Sequence, residues 1–354
     1  MNPSILLGGA RRARGGDPFV IAEIGVNHDG SEARARELVR AARDAGADAA
    51  KFQMFDAHML MSRDAVLAAY QRERGARDPR ELLQGLQLPP AVLGALAEEC
   101  LRVGIVPMVT VFSLPLFDAA RAQPWHAFKT ASPDLVNLPL LRAVSSMERP
   151  LVVSTGAATI EEVARAAHWL RDVPELAFLQ CTSSYPTPDE RAAIGGMHAI
   201  AGATGRAVGY SDHTASIDAG ALAVAAGGCI LEKHLTYDRT AAGPDHSASL
   251  DPQQFAAYVR GARRAARMVG GDAKELQACE RDVRAVSRQS LVAARDLPEG
   301  HVVRPEDLCV KRPGTGVCAS RFDEIVGRRL ARAVLHDHVL QEADVALPTA
   351  EPVR

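Results

Sequence analysis

Between Phe19 and Val269 the chain alternates a short apolar run with an amphipathic or alanine-rich segment eight times, and few folds accept that pattern. The runs begin at Phe19, Asp48, Ile105, Ala127, Pro150, Leu176, Gly209 and about Ile230. Each is apolar along most of its length rather than at every second position, so the strands it predicts are buried on both faces. The segments between them carry helix punctuation, as in Glu32–Ala45, which Ser31 caps and Gly46 closes. Strands joined through helices run parallel, and eight such units in about 250 residues predict a (β/α)8 TIM barrel. A doubly wound open sheet is the alternative. The first strand-to-helix turn, Val26-Asn-His-Asp-Gly30, lacks the Gly-x-Gly-x-x-Gly fingerprint that a dinucleotide fold of that kind carries.

The pattern changes after Gly270-Gly271. Asp272–Arg288 reads as a charged helical connector, and from Ser290 short strands and turns take over. The expected organisation is a barrel over 1–271, a linker over 272–289 and a small β-rich domain over 290–354. No repeat beyond the βα alternation is expected. The polar stretch of about 56–88 is expected to be an excursion on the substrate side, with a lid as the alternative.

With 47% hydrophobic and 24% charged residues and a formal net charge of -2, the chain offers nothing for nucleic acid or a membrane surface. Met1–Gly16 has three arginines and no apolar core, so no export signal is expected, and no run approaches the ~20 apolar residues of a membrane span. Six scattered cysteines without Cys-x-x-Cys spacing suit a reducing cytoplasm. Cys181 and Cys229, inside apolar strands, are expected in the core.

A barrel of this type works at the C-terminal ends of its strands. Those ends carry Glu23, Lys51, Thr110, Lys129, Ser132, Ser154, Thr182, Ser211, His213, Lys233 and His234. Lysines and hydroxyls converging from separate strands suit a small phosphorylated anion, charge from the first and short donors from the second. The plainer alternative pairs each lysine with a neighbouring carboxylate. His213 and His234 end two parallel strands joined by one helix, so they face each other as half of a metal site with open positions. Spacing alone leaves open that they merely satisfy loop backbone. Arg312, by position, reads as a solvated surface arginine.

The stretches Ile21-Ala-Glu-Ile-Gly-Val-Asn-His28, Gly46-Ala-Asp-Ala-Ala-Lys-Phe-Gln53, Phe128-Lys-Thr-Ala-Ser132, Val153-Ser-Thr-Gly156, Gln180-Cys-Thr-Ser-Ser-Tyr-Pro-Thr-Pro188, Gly209-Tyr-Ser-Asp-His-Thr214, Leu231-Glu-Lys-His-Leu-Thr236 and Gly243-Pro-Asp-His-Ser-Ala-Ser-Leu250 together resemble the sialic acid synthase family. The likeness runs from about Phe19 to Ala343, and its last part, through Ser290-Leu-Val-Ala and Leu297-Pro-Glu-Gly, resembles the antifreeze-like SAF domain. It implies a TIM barrel followed by an SAF domain, in a domain-swapped homodimer. It also implies condensation of phosphoenolpyruvate with an open-chain aldose to a nine-carbon 2-keto acid, with C–O cleavage and release of phosphate.

By the same resemblance Lys51, Lys129, Thr110, Ser132, Ser154 and Ser211 hold phosphoenolpyruvate. His213 and His234 bind a divalent ion, Mn2+ ahead of Mg2+ or Co2+. Glu23 is an acid near the reacting water, Asp245 and Tyr185 lie on the sugar side, and Arg312 reaches the partner's site. The chain departs from the family pattern at Ser132-Pro133-Asp134, where Ser-Gly-Glu is usual, at Ser183, where Asn is common, and at Val109-Thr-Val-Phe112. Pro133 removes a backbone donor and Asp134 is a methylene shorter than Glu. These positions lie toward the sugar, so the expected acceptor is a modified aldose other than N-acetylmannosamine. The competing expectations are a heptulosonate- or octulosonate-type phosphoenolpyruvate aldolase and a non-catalytic sugar binder.

Overall fold

Strand alternation sorts this chain's side chains into a lumen and an outer seam, and that sorting builds the site. A computed structural model describes residues 3–62, 78–271 and 273–346. The chain divides into two units, Met1–Asp272 and Ala273–Arg354. In the first, a hairpin of β1 (Ser4–Leu7) and β2 (Ala10–Ala13) precedes β3 (Phe19–Glu23), β4 (Ala49–Met54), β5 (Val106–Val111), β6 (Ala127–Thr130), β7 (Leu151–Ser154), β8 (Leu176–Cys181), β9 (Ala207–Asp212) and β10 (Ile230–His234). β3 to β10 pair in parallel with their sequence neighbours, and β10 closes on β3. The barrel is therefore the one that the alternation predicts.

Side chains that point into the barrel start apolar: Phe19, Ile21, Ala49, Met108, Val152, Leu179 and Ile230 form one cluster. Residues of the opposite parity, among them Val20, Phe52, Val109, Phe128, Phe178 and Leu231, pack outward with helix residues such as Leu38, Leu96, Leu141 and Phe255. The hairpin was not evident in the sequence. Its Ile5 and Leu7 join the lumen cluster beside Phe19, while Leu6 N donates to Glu175 Oε2 at 2.6 Å. It therefore covers the N-terminal end of the barrel.

Some element limits shift. The helix expected over 216–226 spans Ala219–Ala225, and that expected over 114–122 is a 3-10 turn at Leu114–Leu116 running into Phe117–Arg121. The excursion expected over 56–88 contains helical turns at Ala57–Leu60 and Pro79–Gln84; its residues 63–77 lie outside the described residues.

The second unit overturns the expectation that no further repeat exists. β11 (Ser290–Ala293) and β12 (Leu308–Lys311) pair antiparallel. Arg295, His301 and the backbone N–H of Arg304 all donate to the buried Asp307 carboxylate, His301 at 2.6 Å and Arg304 N at 2.9 Å. Arg332, His338 and Gln341 N repeat the arrangement on Asp344, the last two at 2.8 and 2.7 Å, with every member displaced by 37 positions. The backbone obeys the same offset. Leu297 and Val334 exchange N–H···O bonds of 2.9 Å in both directions, and Ala294 N to Asp307 O matches Ala331 N to Asp344 O at 2.8 Å. The core follows suit, with Ala293, Leu297, Val303 and Leu308 paralleled by Leu330, Val334, Leu340 and Val345. Two similar half-units thus pack around a pseudo-twofold axis.

Candidate active site

At the C-terminal ends of the strands the lumen parity turns polar, and a cavity of about 390 Å³ opens. Lys51 from β4 and Lys129 from β6 enter it as cations. Both are bridged by Glu232 from β10: Lys51 Nζ lies 3.3 Å from Oε1 and Lys129 Nζ 3.1 Å from Oε2. Lys51 also ion-pairs with Glu23, its register neighbour on β3, and donates to Thr110 Oγ1 at 3.1 Å. Burial dominates Lys51 and pushes its ammonium down to about 8, with Glu232 pulling the other way. Glu232 is held below the usual carboxylate range, because Lys129 and Lys51 outweigh the burial that alone would raise it.

Hydroxyls complete this side. Ser132 Oγ donates to Ser154 Oγ at 3.0 Å and accepts from Gly156 N at 3.0 Å, and Ser211 lines the same wall. Gly156 is required by this approach: a Cβ there would stand 2.3 Å from Ser183 Oγ and 2.8 Å from Ser132 Oγ. Gly156→Ala is therefore expected to displace both serines. It should raise the KM for the anionic substrate at least tenfold while moving the melting temperature little, a split that steady-state kinetics and a thermal melt will show.

Across the cavity the His213 and His234 rings stand 5.5 Å apart, and Tyr185 lies over His213 with centroids 4.1 Å apart at 33°. His213 Nδ1 donates to Thr182 O at 2.9 Å, which leaves Nε2 with its lone pair exposed. That is the backbone tether typical of metal-ligating imidazoles. Burial lowers His213, but Cys181 Sγ at 3.6 Å and the Thr182 carbonyl raise it on balance. His234 is pushed well below its ordinary value by burial and by His213, and its buried Nδ1 has no hydrogen-bond partner, standing 3.7 Å from Asp245 Oδ2. The donor set therefore fits a divalent ion held by two imidazoles. Among the described residues no third His, Cys, Asp or Glu stands close enough to complete a three-ligand cluster, which leaves positions for water and substrate.

Most of the residues singled out in the sequence thus meet in one cavity: Glu23, Lys51, Thr110, Lys129, Ser132, Ser154, Ser183, Tyr185, Ser211, His213, His234 and Asp245. Three do otherwise. Asp134 is buried but absent from the wall that Ser132 and Pro133 form, and burial pushes its carboxyl up to about 6. Lys233, read as a strand-end lysine at the mouth, points outward and is fully buried behind the barrel. Arg312 belongs to the second unit and is exposed. The sequence reading also missed Glu232 and Gln53, both on the wall, where Phe112, read as a position toward the sugar, lies as well. Cys181 and Cys229 are both buried in the core as expected; Cys181 also stands beside the site, its thiol brought down to about 7 by His213 and Lys129 against the upward push of burial.

Comparisons with known proteins identify the family. A sequence model of the NeuB family matches residues 38–274, and one of the SAF domain matches residues 288–346. The chain belongs to the NeuB family. It is 36% identical over 321 residues to the N,N'-diacetyllegionaminic acid synthase of Legionella pneumophila, covering 88% of this chain and 90% of that one. It is 30% identical over 333 residues to the human N-acetylneuraminate-9-phosphate synthase, covering 92% and 91%. Among solved structures, the N-acetylneuraminic acid synthetase of Leptospira borgpetersenii, determined with citrate, superposes with a TM-score of 0.73 at 28% identity, covering 80% of this chain and 95% of that one. The second unit is an SAF domain, and the chain is a transferase of the NeuB type. Among the described residues no helix is long and apolar enough to cross a membrane.

Proposed function

We propose that this protein condenses phosphoenolpyruvate with an N-acetylated, unphosphorylated aldose to give a nine-carbon 2-keto sugar acid and inorganic phosphate. The observation that carries the reading is the single cavity that sets a Glu232-bridged lysine pair and a serine wall opposite two imidazoles. Lys51, Lys129, Ser132, Ser154 and Ser211 bind the phosphate and carboxylate of phosphoenolpyruvate. C3 then bonds to the aldehyde carbon, whose oxygen takes up a proton, and C2 is left electron-poor. Water adds at C2 with loss of a proton to a carboxylate of the Glu23 side. Collapse of the adduct breaks the C–O bond to phosphate, and the lysines and hydroxyls hold the departing charge.

His213 and His234 would hold Mn2+ or a similar ion, which when bound polarises the aldehyde as a Lewis acid. Two buried lysines against two buried glutamates leave no net charge for a substrate anion, which supports a cation beside them. The relatives named for N,N'-diacetyllegionaminic acid favour a diacetamido hexose over N-acetylmannosamine. A homodimer in which Arg312 serves the partner's cavity belongs to the same proposal, and a monomeric mass by light scattering would refute it.

Phosphate release tests the reading, with phosphoenolpyruvate, Mn2+ and a panel of N-acetylmannosamine, its 6-phosphate and diacetamido hexoses. Release with a diacetamido hexose, lost with chelator and at least a hundredfold slower in His213→Ala, is the expected result. Faster turnover of the 6-phosphate would overturn the acceptor assignment, and release unaffected by chelator would overturn the metal. The pH profile adds an independent check. Lys51 is charged below about 8 and neutral above it, so kcat/KM for the phosphoenolpyruvate anion is expected to fall as pH rises through about 8.

A further inference from the structure

The outward positions of the barrel strands are apolar or neutral with one exception. Asp212 on β9 and Lys233 on β10 form an ion pair of 3.0 Å, both side chains at 0% exposure. They are direct register partners and the last residues that pair β9 with β10. Beyond them the two strand ends part. His213 O accepts from Thr187 N, on the β8 side, at 2.8 Å, whereas His234 O accepts from Leu250 N at 3.0 Å and Leu235 N donates to Glu23 O on the β3 side. The ladder therefore holds the two strand ends together as far as Asp212 and Lys233, the residues just before the two histidines, and not beyond.

Past that point the ammonium of Lys233 ties the two strand ends together. It contacts Asp212 Oδ2 and also donates to Thr214 O, so it grips the residues on both sides of His213, while its own backbone leads directly into His234. Asp212 Oδ1 in turn accepts from Thr214 N and Oγ1, both at 2.8 Å, which folds the turn around His213. The surroundings are built to keep this group dry. The Tyr258 ring lies over Lys233, 5.8 Å from Nζ to the centroid, and fits only because position 220 is glycine, whose missing Cβ would stand 2.4 Å from Tyr258 Cζ.

Taking two charges out of water is costly, and an apolar pair of similar volume would close this seam at least as stably. We propose that Asp212 and Lys233 are positioning residues whose ion pair fixes the placement of His213 relative to His234, and with it the affinity of the pair for a divalent ion. The second half of this inference rests on the metal reading above; the first does not.

The double variant Asp212→Asn/Lys233→Met removes both charges and keeps the acceptor for Thr214. The full-length, chelator-treated protein is titrated with Mn2+ by calorimetry, and the imidazole 1H–15N signals of His213 and His234 are recorded without metal. The expected result is a melting temperature equal to or above that of wild type, Mn2+ affinity lowered ten- to a hundredfold, and both imidazole signals shifted. Lys233→Met alone should lose as much affinity and also melt earlier, because it leaves Asp212 buried and unpaired. Unchanged affinity with unshifted imidazole signals would overturn the proposal. If wild type takes up no Mn2+, the metal reading fails, and the imidazole signals alone decide the positioning role: shifted signals keep it and unshifted ones end it. Should the double variant not fold, Asp212→Asn alone carries the same readouts.

Discussion

Lys51→Ala is expected to slow phosphate release from phosphoenolpyruvate at least a thousandfold and to cost about 3–5 kcal/mol of stability. The ammonium it removes is the hub of the site, in contact with Glu23, Glu232 and Thr110, and neither glutamate is more than 3% exposed. Without it two carboxylates share a space that water scarcely reaches, and their repulsion is relieved only if one takes a proton. The variant thus loses a cation for the substrate and gains an acid that the reaction does not use. Lys129→Ala is the informative contrast. Glu232 keeps Lys51 when Lys129 is gone, so activity should fall about a hundredfold with a smaller loss of stability. Single-turnover phosphate release and urea unfolding separate the two effects. Lys51→Ala within tenfold of wild type would mean that the pair does not bind the transferring group.

The contrast between Glu232 and Lys233 shows how far the sequence could be read. The eight apolar runs made the barrel legible, because strands buried on both faces leave a repeated pattern that no surface sheet produces. His213 and His234 were legible for the same reason, since the ends of adjacent parallel strands meet. Naming the residues at a strand end, however, does not say which of them face the lumen. Side chains alternate, so the parity that sends His234 inward also sends Glu232 inward and Lys233 outward. A reading that carried parity back from His234 would have found Glu232. The plain alternative for each lysine, a neighbouring carboxylate, is also what the structure contains: Glu232 holds both lysines in place before substrate arrives. The hairpin at Ser4–Ala13 gave no comparable signal, because only Ile5 and Leu7 are buried while two arginines lie within its second half. The 37-residue repeat hid because its halves share little beyond an Arg, a His, an Asp and a few apolar positions. Those identities carry meaning only once each Asp is known to be buried.

That repeat underlies the other large expected effect: Asp307→Asn/Asp344→Asn should unfold the second unit at neutral pH while the barrel stays folded. Each carboxylate gathers an arginine, a histidine and a backbone N–H, and each is fully buried. An amide in the same place presents an NH2 to donors that need an acceptor, so each change should cost about 2 kcal/mol. A domain of this size has little stability to spare. The sign of the pH dependence follows from the carboxylates. His301, Arg304 N and Arg295 outweigh burial and hold Asp307 at about 2, below its ordinary 3.8, and Asp344 is lowered in the same way by Gln341 N, His338 and Arg332. A group whose folded value is depressed stabilises the fold above its unfolded value and ceases to do so as pH falls through the folded one. The second unit of wild type should therefore weaken between about pH 4 and pH 2, and either single variant should show a smaller dependence. Hydrogen exchange at the Leu297 and Val334 amides, which bond across the pseudo-twofold axis, reports on this unit alone. Single variants whose losses exceed simple addition when combined would show that the two half-units fold as one. Protection of these amides unchanged in the double variant would show that the clusters contribute nothing to the packing of the halves.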